Sequence, residues 1–85
     1  MASRTPEQRG PFGRALLKAR EATKPLRTQG QIAEELGTSQ GTVCSWESGE
    51  TLPRAERIDE IAGAYGLRPD RLRSLWFAVA SKAAA

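Results

Sequence analysis

Apolar residues recur every three or four positions along most of the chain, which is the spacing of helices that bury one face. The first stripe predicts a helix that begins at Phe12 and ends before Pro25, because a residue that precedes proline avoids the α region. The apolar positions of this helix are Phe12, Ala15, Leu16 and Ala19. Residues 1–11 lack the periodicity and contain prolines and a glycine, so they are predicted to form a flexible basic arm.

A second, shorter helix is predicted after Thr28. The Thr28 side chain is a suitable N-cap, and Gln31 three residues later completes a capping box. The inner stripe of this helix is Ile32, Ala33 and Leu36. Gly37 ends it, since glycine takes the positive φ angle that a helix C-terminus requires.

A third helix is predicted between another polar cap and another glycine. Ser39, or alternatively Thr38, caps its N-terminus, and Gly49 follows its last turn. Val43 and Trp46 would face inward.

Two further helices complete the predicted fold. The fourth opens at Pro53–Arg54 and ends at Gly66, with an inner stripe of Ile58, Ile61, Ala62 and Tyr65. Pro69 suits the first position of a fifth helix that extends to about residue 82. The stripe of the fifth helix consists of Leu72, Leu75, Trp76 and Val79, followed by Phe77. This surface either covers the core or forms a twofold dimer interface, and the interface is the preferred interpretation.

The predicted fold class is therefore all-α, a compact bundle of five short helices in one domain over residues 12–82. A chain of 85 residues is long enough for one such core and too short for two. It contains no apolar run of the length that a membrane span needs, so a cytoplasmic location is expected.

Charge is distributed unevenly along the chain, although the net charge is only +3. Residues 1–27 carry seven basic side chains against two acidic ones, and residues 53–85 carry six against four. Residues 28–52 carry four glutamates and no lysine or arginine. A contact with a polyanion must therefore draw its cations from the two flanks.

The composition argues against catalysis. The chain has no histidine and a single cysteine, Cys44, so neither the usual zinc ligand sets nor the commonest general base is available. Carboxylate neighbours such as Glu34 and Glu35 point to different faces of a helix. We expect no enzyme, no metal and no cofactor. Cys44, on the outer face of the third helix, is either a redox sensor or a small residue near the ligand.

The second and third helices, joined by a short turn with a glycine, have the arrangement of a DNA-binding helix-turn-helix over residues 29–48. Ala33 is small enough for the next helix to cross close to it, and Val43 fills the angle between the two helices. These residues lie in the segment from Phe12 to Leu67, and this segment resembles the phage repressor and Cro-type helix-turn-helix family, also called the xenobiotic-response-element family. The matching positions are Phe12, Gly13, Leu16, Arg20, Thr28, Gln29, Ile32, Ala33, Leu36, Gly37, Val43, Trp46, Glu47, Ser48, Gly49, Pro53, Ile58, Ile61, Ala62, Tyr65, Gly66 and Leu67.

The resemblance implies a lambda-repressor-like domain whose third helix enters the major groove of double-stranded DNA. The positions that would read base edges are Ser39, Gln40, Gly41, Thr42 and Ser45. Gln40 is the best candidate, because a glutamine amide can bond N6 and N7 of adenine together. Gly41 either lets the helix approach the DNA closely or is merely a tolerated exposed glycine. The expected phosphate contacts are Thr28, Gln29, Lys24, Arg27, Ser48 and Arg54.

The resemblance also implies an ion pair between Arg20 and Glu47 that fixes the recognition helix. One departure from the family is Glu50, which stands where many members have a lysine or arginine. Affinity for phosphate would then rest on Lys24, Arg27, Arg54, Arg57 or the basic arm with Arg4 and Arg9.

These implications describe a dimeric transcriptional repressor that reads a palindromic operator with half-sites roughly 10 base pairs apart. Its partners would be double-stranded DNA, a second copy of the chain and a protein such as a toxin or an anti-repressor. An antitoxin or a restriction–modification controller of the same fold remains an alternative. A protein-interaction module that has lost DNA binding is another, and the cation-free middle of the chain supports it.

Overall fold

The structure, a computed structural model, describes residues 6–84, with side-chain burial for residues 10–81. In this part of the chain five α-helices and one turn of 3-10 helix follow one another, and no strand is present. The α-helices are α1 Pro6–Glu21, α2 Gln29–Leu36, α3 Gln40–Ser48, α4 Ile58–Tyr65 and α5 Pro69–Ala84, and the 3-10 turn is Ala55–Arg57. The all-α prediction is confirmed.

The ends of α2 and α3 are set by the residues that the sequence indicated. Thr28 Oγ1 accepts the Gln31 backbone N–H at 3.1 Å, and the Thr28 N–H donates to Gln31 Oε1 at 2.8 Å, which completes the capping box. Ser39 caps α3 by accepting the Thr42 N–H at 3.1 Å. Gly37 closes α2 with a φ of 67° in the left-handed region.

The predicted boundary between arm and first helix is wrong. Helical structure begins at Pro6 instead of Phe12, and it is interrupted at Gly10, where φ is 75° and ψ is 169°. Proline is well suited to the first position of a helical segment, so Pro6 and Pro11 open segments that the sequence pattern treated as broken. The remainder of the predicted arm, with Arg4 and the side chain of Arg9, lies outside the described residues.

The start of the fourth helix also differs from the prediction. Arg54 is extended, with φ −69° and ψ 148°, and the chain then makes a 3-10 turn before α4 begins at Ile58. The carbonyl of the buried Pro53 accepts the indole N–H of Trp76 at 2.7 Å. This bond fixes the chain in an extended course just before the helix.

The core is formed by apolar side chains from all five helices. The buried members are Phe12, Leu16, Ile32, Ala33, Leu36, Val43, Trp46, Ile58, Ile61, Ala62, Ala64, Tyr65 and Leu72. The assignment of Leu72 to a dimer interface is therefore corrected, because its side chain is 0 % exposed within one chain. Leu75, Trp76 and Val79 are partly buried against the same core. Phe77, by contrast, is 54 % exposed.

Candidate nucleic-acid interface

The outward side of α3 carries uncharged side chains only. Val43, Trp46 and Glu47 face the interior, which turns Gln40, Gly41 and Cys44 to solvent. Gln40 makes no side-chain hydrogen bond within the described residues. Its amide is thus available to an external donor–acceptor pair.

The other predicted base-reading residues are held more tightly. The hydroxyls of Ser39 and Thr42 are 2.9 Å apart and hydrogen-bonded to each other, at the point where Ser39 caps the helix. Ser45 is half-buried, and its Oγ donates to Glu50 Oε2 at 3.3 Å. This contact draws a carboxylate toward the exposed side of α3, so a negative charge lies beside the predicted reading surface.

The N-terminus of α2 is also organised by internal contacts. The hydroxyl and the backbone N–H of Thr28 are both used in the capping box. Gln29 donates its side-chain Nε2–H to Glu47 Oε1 at 3.1 Å, which fixes the amide against α3. The backbone N–H groups in the first turn of a helix have no intrahelical acceptor, so those of Gln29 and Gly30 remain for an anion.

Two arginines that were candidate phosphate contacts act inside the protein. Arg27 Nη1 donates to the carbonyl of Ala64 at 2.7 Å, in the last turn of α4, and Nη2 binds Glu35 at 3.0 Å. Arg57 Nη2 donates to the carbonyl of Leu36 at 2.6 Å, at the end of α2. Cations placed at helix C-termini bond otherwise orphaned carbonyls and offset the helix dipole.

The cations left exposed near α2 and α3 are therefore few. Lys24 and Arg54 are exposed, and no ion pair within the described residues holds either of them. Ser48, another predicted phosphate contact, donates its hydroxyl to the carbonyl of Ser45 at 3.1 Å. Lys24 and Arg54 are consequently the predicted phosphate contacts whose charge the fold does not use.

A buried polar cluster on the inner side of α3 joins α3 to α1, α2 and α4. Glu47 is 1 % exposed, and its carboxylate accepts Arg20 Nε at 2.8 Å and Arg20 Nη2 at 2.9 Å. Tyr65 of α4 donates its hydroxyl to the same carboxylate at 2.7 Å, and Gln29 of α2 supplies the bond described above. The expected Arg20–Glu47 pair is present, and it forms part of a larger arrangement, hereafter the Glu47 cluster.

These contacts shift the pKa values of Glu47, Arg20 and Tyr65 and so set the protonation state of each group. Burial alone would raise the pKa of the Glu47 carboxyl, but donors on Arg20, Tyr65 and Gln29 outweigh it and hold that pKa below its usual value. The hydrogen bond to Glu47 raises the pKa of Arg20. Burial, and then the bond to Glu47, raise the pKa of Tyr65 well above its ordinary value. The cluster is thus a carboxylate, a guanidinium and a neutral phenol at neutral pH.

Sequence reasoning named Gly13 as a position that matches the family but did not predict that it lets α1 approach α3. A Cβ added at Gly13 would lie 2.7 Å from the carbonyl oxygen of Glu47 and 2.9 Å from that of Trp46. Only a hydrogen fits between the two helices at this point. The prediction assigned close helix crossing to Ala33, and periodicity gives no signal for Gly13 because glycine is not counted in an apolar stripe.

Comparison with known proteins identifies the arrangement. The family model described as helix-turn-helix matches residues 16–72. The chain is 40 % identical over 50 residues to the cryptic phage CTXphi transcriptional repressor RstR of Vibrio cholerae serotype O1. The match covers 59 % of this chain and 45 % of the relative, so the chain corresponds to less than half of that protein. No solved structure gave a significant match.

The described residues offer neither a membrane span nor a metal site. No helix within residues 6–84 is long and apolar enough to cross a membrane. No group of three or more histidine, cysteine, aspartate or glutamate side chains in this part of the chain could hold a metal ion.

Proposed function

The chain belongs to the helix-turn-helix family, and from this premise we propose that it is a DNA-binding transcriptional regulator that acts without catalysis. The observation that carries the proposal is the outward side of α3. Gln40 there has an unengaged amide, while the Glu47 cluster fixes the helix from behind. A rigid helix with free donors and acceptors is what direct readout in the major groove requires.

The finer proposal is a repressor that binds a palindromic operator as a homodimer, in the cytoplasm and in association with the nucleoid when bound to DNA. The relative's name, transcriptional repressor, supports the direction of regulation. Sparse exposed cations beside α3 argue that one subunit binds weakly, since phosphate contacts supply most of the nonspecific affinity. A second subunit would double the contacts.

The surface of α5 supports the homodimer, but through a different residue from those that the sequence stripe named. Leu72 lies in the core, and Leu75, Trp76 and Val79 are partly buried against that core. Phe77, in contrast, is exposed, and the centroid of its ring lies 5.1 Å from that of Trp76. We expect Phe77→Ser to reduce dimer formation in sedimentation experiments. Leu26→Ser, which alters a similarly exposed apolar residue outside α5, is the control.

The experiment that tests DNA recognition is selection of bound sequences from a pool of randomised duplexes, at about 100 mM salt, where phosphate contacts still favour binding. We expect one palindromic sequence to be enriched. Gln40→Ala should relax the preference at one base position by about 1–3 kcal/mol, whereas Arg54→Ala should weaken binding to all sequences alike. Equal effects of the two substitutions would contradict the assigned roles.

A second function, a protein-interaction module without DNA binding, is favoured by one observation. Gln29–Ser48 contain no cation, and Arg27 and Arg57 beside them are engaged with carbonyls of the protein. Absence of any enriched sequence in the selection would favour this function.

A further inference from the structure

A groove lies between α1 and α5, on a part of the surface that the proposed DNA contacts do not use. Its volume is about 390 Å³, and it is lined by Pro11, Arg14, Ala15, Lys18, Arg71 and Leu75. These six residues are hereafter the α1/α5 groove. Three of them are cations, three are apolar, and none is acidic.

The three cations, like Lys24 and Arg54, are not paired with an acidic side chain in the described part of the chain. Ion pairs hold a larger set of arginines elsewhere in the described residues, namely Arg20, Arg27, Arg57, Arg68 and Arg73. Arg14, Lys18 and Arg71 have no ion pair within the part of the chain that the structure describes. Arg14 and Lys18 are also one helical turn apart, and like charges at that spacing repel. The groove therefore concentrates positive charge that the fold itself does not neutralise.

The groove faces away from the recognition helix. Gly13 and Arg20 point toward α3, because Gly13 packs on the carbonyls of Trp46 and Glu47, and Arg20 binds the Glu47 side chain. At 3.6 residues per turn, the groove residues of α1 are centred roughly 160° around the helix from Gly13 and Arg20. A duplex held by α3 would leave this groove open.

We propose that the α1/α5 groove binds an acidic, amphipathic segment of a partner protein. Carboxylates of the segment pair with Arg14, Lys18 and Arg71, and its apolar side chains contact Ala15 and the half-buried Leu75. The apolar floor distinguishes this occupant from a nucleic-acid backbone, which offers phosphates but few apolar groups to such a surface. The partner can thus reach the protein while DNA occupies α3.

The test uses the full chain and a fluorescein-labelled peptide of repeated Glu-Glu-Leu units. Amide resonances of isotope-labelled protein should shift at Arg14–Lys18 and Arg71–Leu75, and those of α3 should not. Arg14→Glu combined with Arg71→Glu should weaken peptide binding about tenfold or more, because two attractions become repulsions. Arg68→Glu, just before α5, combined with Arg73→Glu in α5 makes the same charge change outside the groove and should have little effect.

Several outcomes would overturn the proposal. One is equal loss of peptide binding in the two double variants, which would indicate that net charge alone matters. A second is equal binding of a peptide in which glutamine replaces glutamate. A third is a loss of duplex DNA affinity in the groove variant as large as its loss of peptide affinity, which would make the groove a DNA contact. Circular dichroism checks that both variants are folded.

Discussion

The guanidinium of Arg20 lies 2.8 Å from the carboxylate of Glu47, and the Glu47 side chain is only 1 % exposed. A charge so deeply buried is stable only while its partners remain, since an isolated carboxylate in a protein interior carries a large desolvation penalty. The partners come from α1, α2 and α4, so this one side chain ties α3 to three other helices.

Removal of the Glu47 side chain is expected to be among the most destabilising single substitutions in the protein. We expect Glu47→Ala to lower the free energy of unfolding by about 3–5 kcal/mol, because Arg20 is left without its carboxylate. The measurement is urea denaturation followed by tryptophan fluorescence. Glu35→Ala removes the exposed partner of Arg27 and should cost about 1 kcal/mol or less. Similar losses in the two variants would contradict the role of burial.

Stability should depend on pH through Glu47. Its pKa is lowered in the folded protein, so its contribution is present above the unfolded-state pKa of about 4.3 and is lost as the pH falls below that value. We expect the wild-type protein to lose stability steeply in acid, and Glu47→Gln to show a shallower loss from a lower starting stability. Thermal unfolding measured between about pH 3 and 7 checks this. Parallel profiles would show that other carboxylates control acid denaturation.

Two glycines in helices should respond oppositely to alanine. Gly13→Ala places a Cβ 2.7 Å from the Glu47 carbonyl oxygen and should destabilise by about 1–3 kcal/mol, because α1 and α3 must separate. Gly63 in α4 is exposed with nothing within 4 Å of its Cβ position. Gly63→Ala should stabilise the protein by about 0.5–1 kcal/mol through helix propensity. Denaturation midpoints measure both, and destabilisation by Gly63→Ala would refute the comparison.

Glu50 should weaken DNA binding without regard to sequence. Its carboxylate is drawn toward α3 by Ser45, where it repels phosphate. Glu50→Lys should raise affinity for every duplex and make the slope of log K against log salt more negative by about 0.9 for each additional phosphate that the protein neutralises. Asp70→Lys, an equal charge change on α5, is the control. A sequence-dependent increase in affinity would instead assign Glu50 to base recognition.

Local sequence chemistry predicted the elements of the fold more reliably than their contacts. The N-cap bonds of α2 and α3 each join residues within one helical turn, Thr28 to Gln31 and Ser39 to Thr42. A few adjacent residues are therefore sufficient to set those helix ends. The Arg20–Glu47 pair came from the resemblance to a known family. No local rule could have added Tyr65, whose contact with Glu47 depends on how α4 packs beside α3.

The contacts of long charged side chains were harder to predict from the sequence. Arg27 reaches a carbonyl 37 residues away, and Arg57 reaches one 21 residues away. Both were counted with the cations available to DNA, because a sequence shows charge but not what a folded chain places within its reach. Leu72 was misassigned for a related reason: an apolar stripe predicts which face of a helix is covered, but not what covers it.

The division of α3 between an anchored inner side and an uncommitted outer side has an evolutionary consequence. Gln40, Gly41 and Cys44 are exposed and take no part in the hydrogen bonds of the Glu47 cluster, so replacements there would alter the proposed reading surface at little cost to the fold. Arg20 and Tyr65, in contrast, both bond to the Glu47 carboxylate, so a change at one of these three positions removes a hydrogen bond from another. Under the proposed function, a change of target sequence therefore needs substitutions at only a few exposed positions of α3, and the scaffold behind them can stay the same.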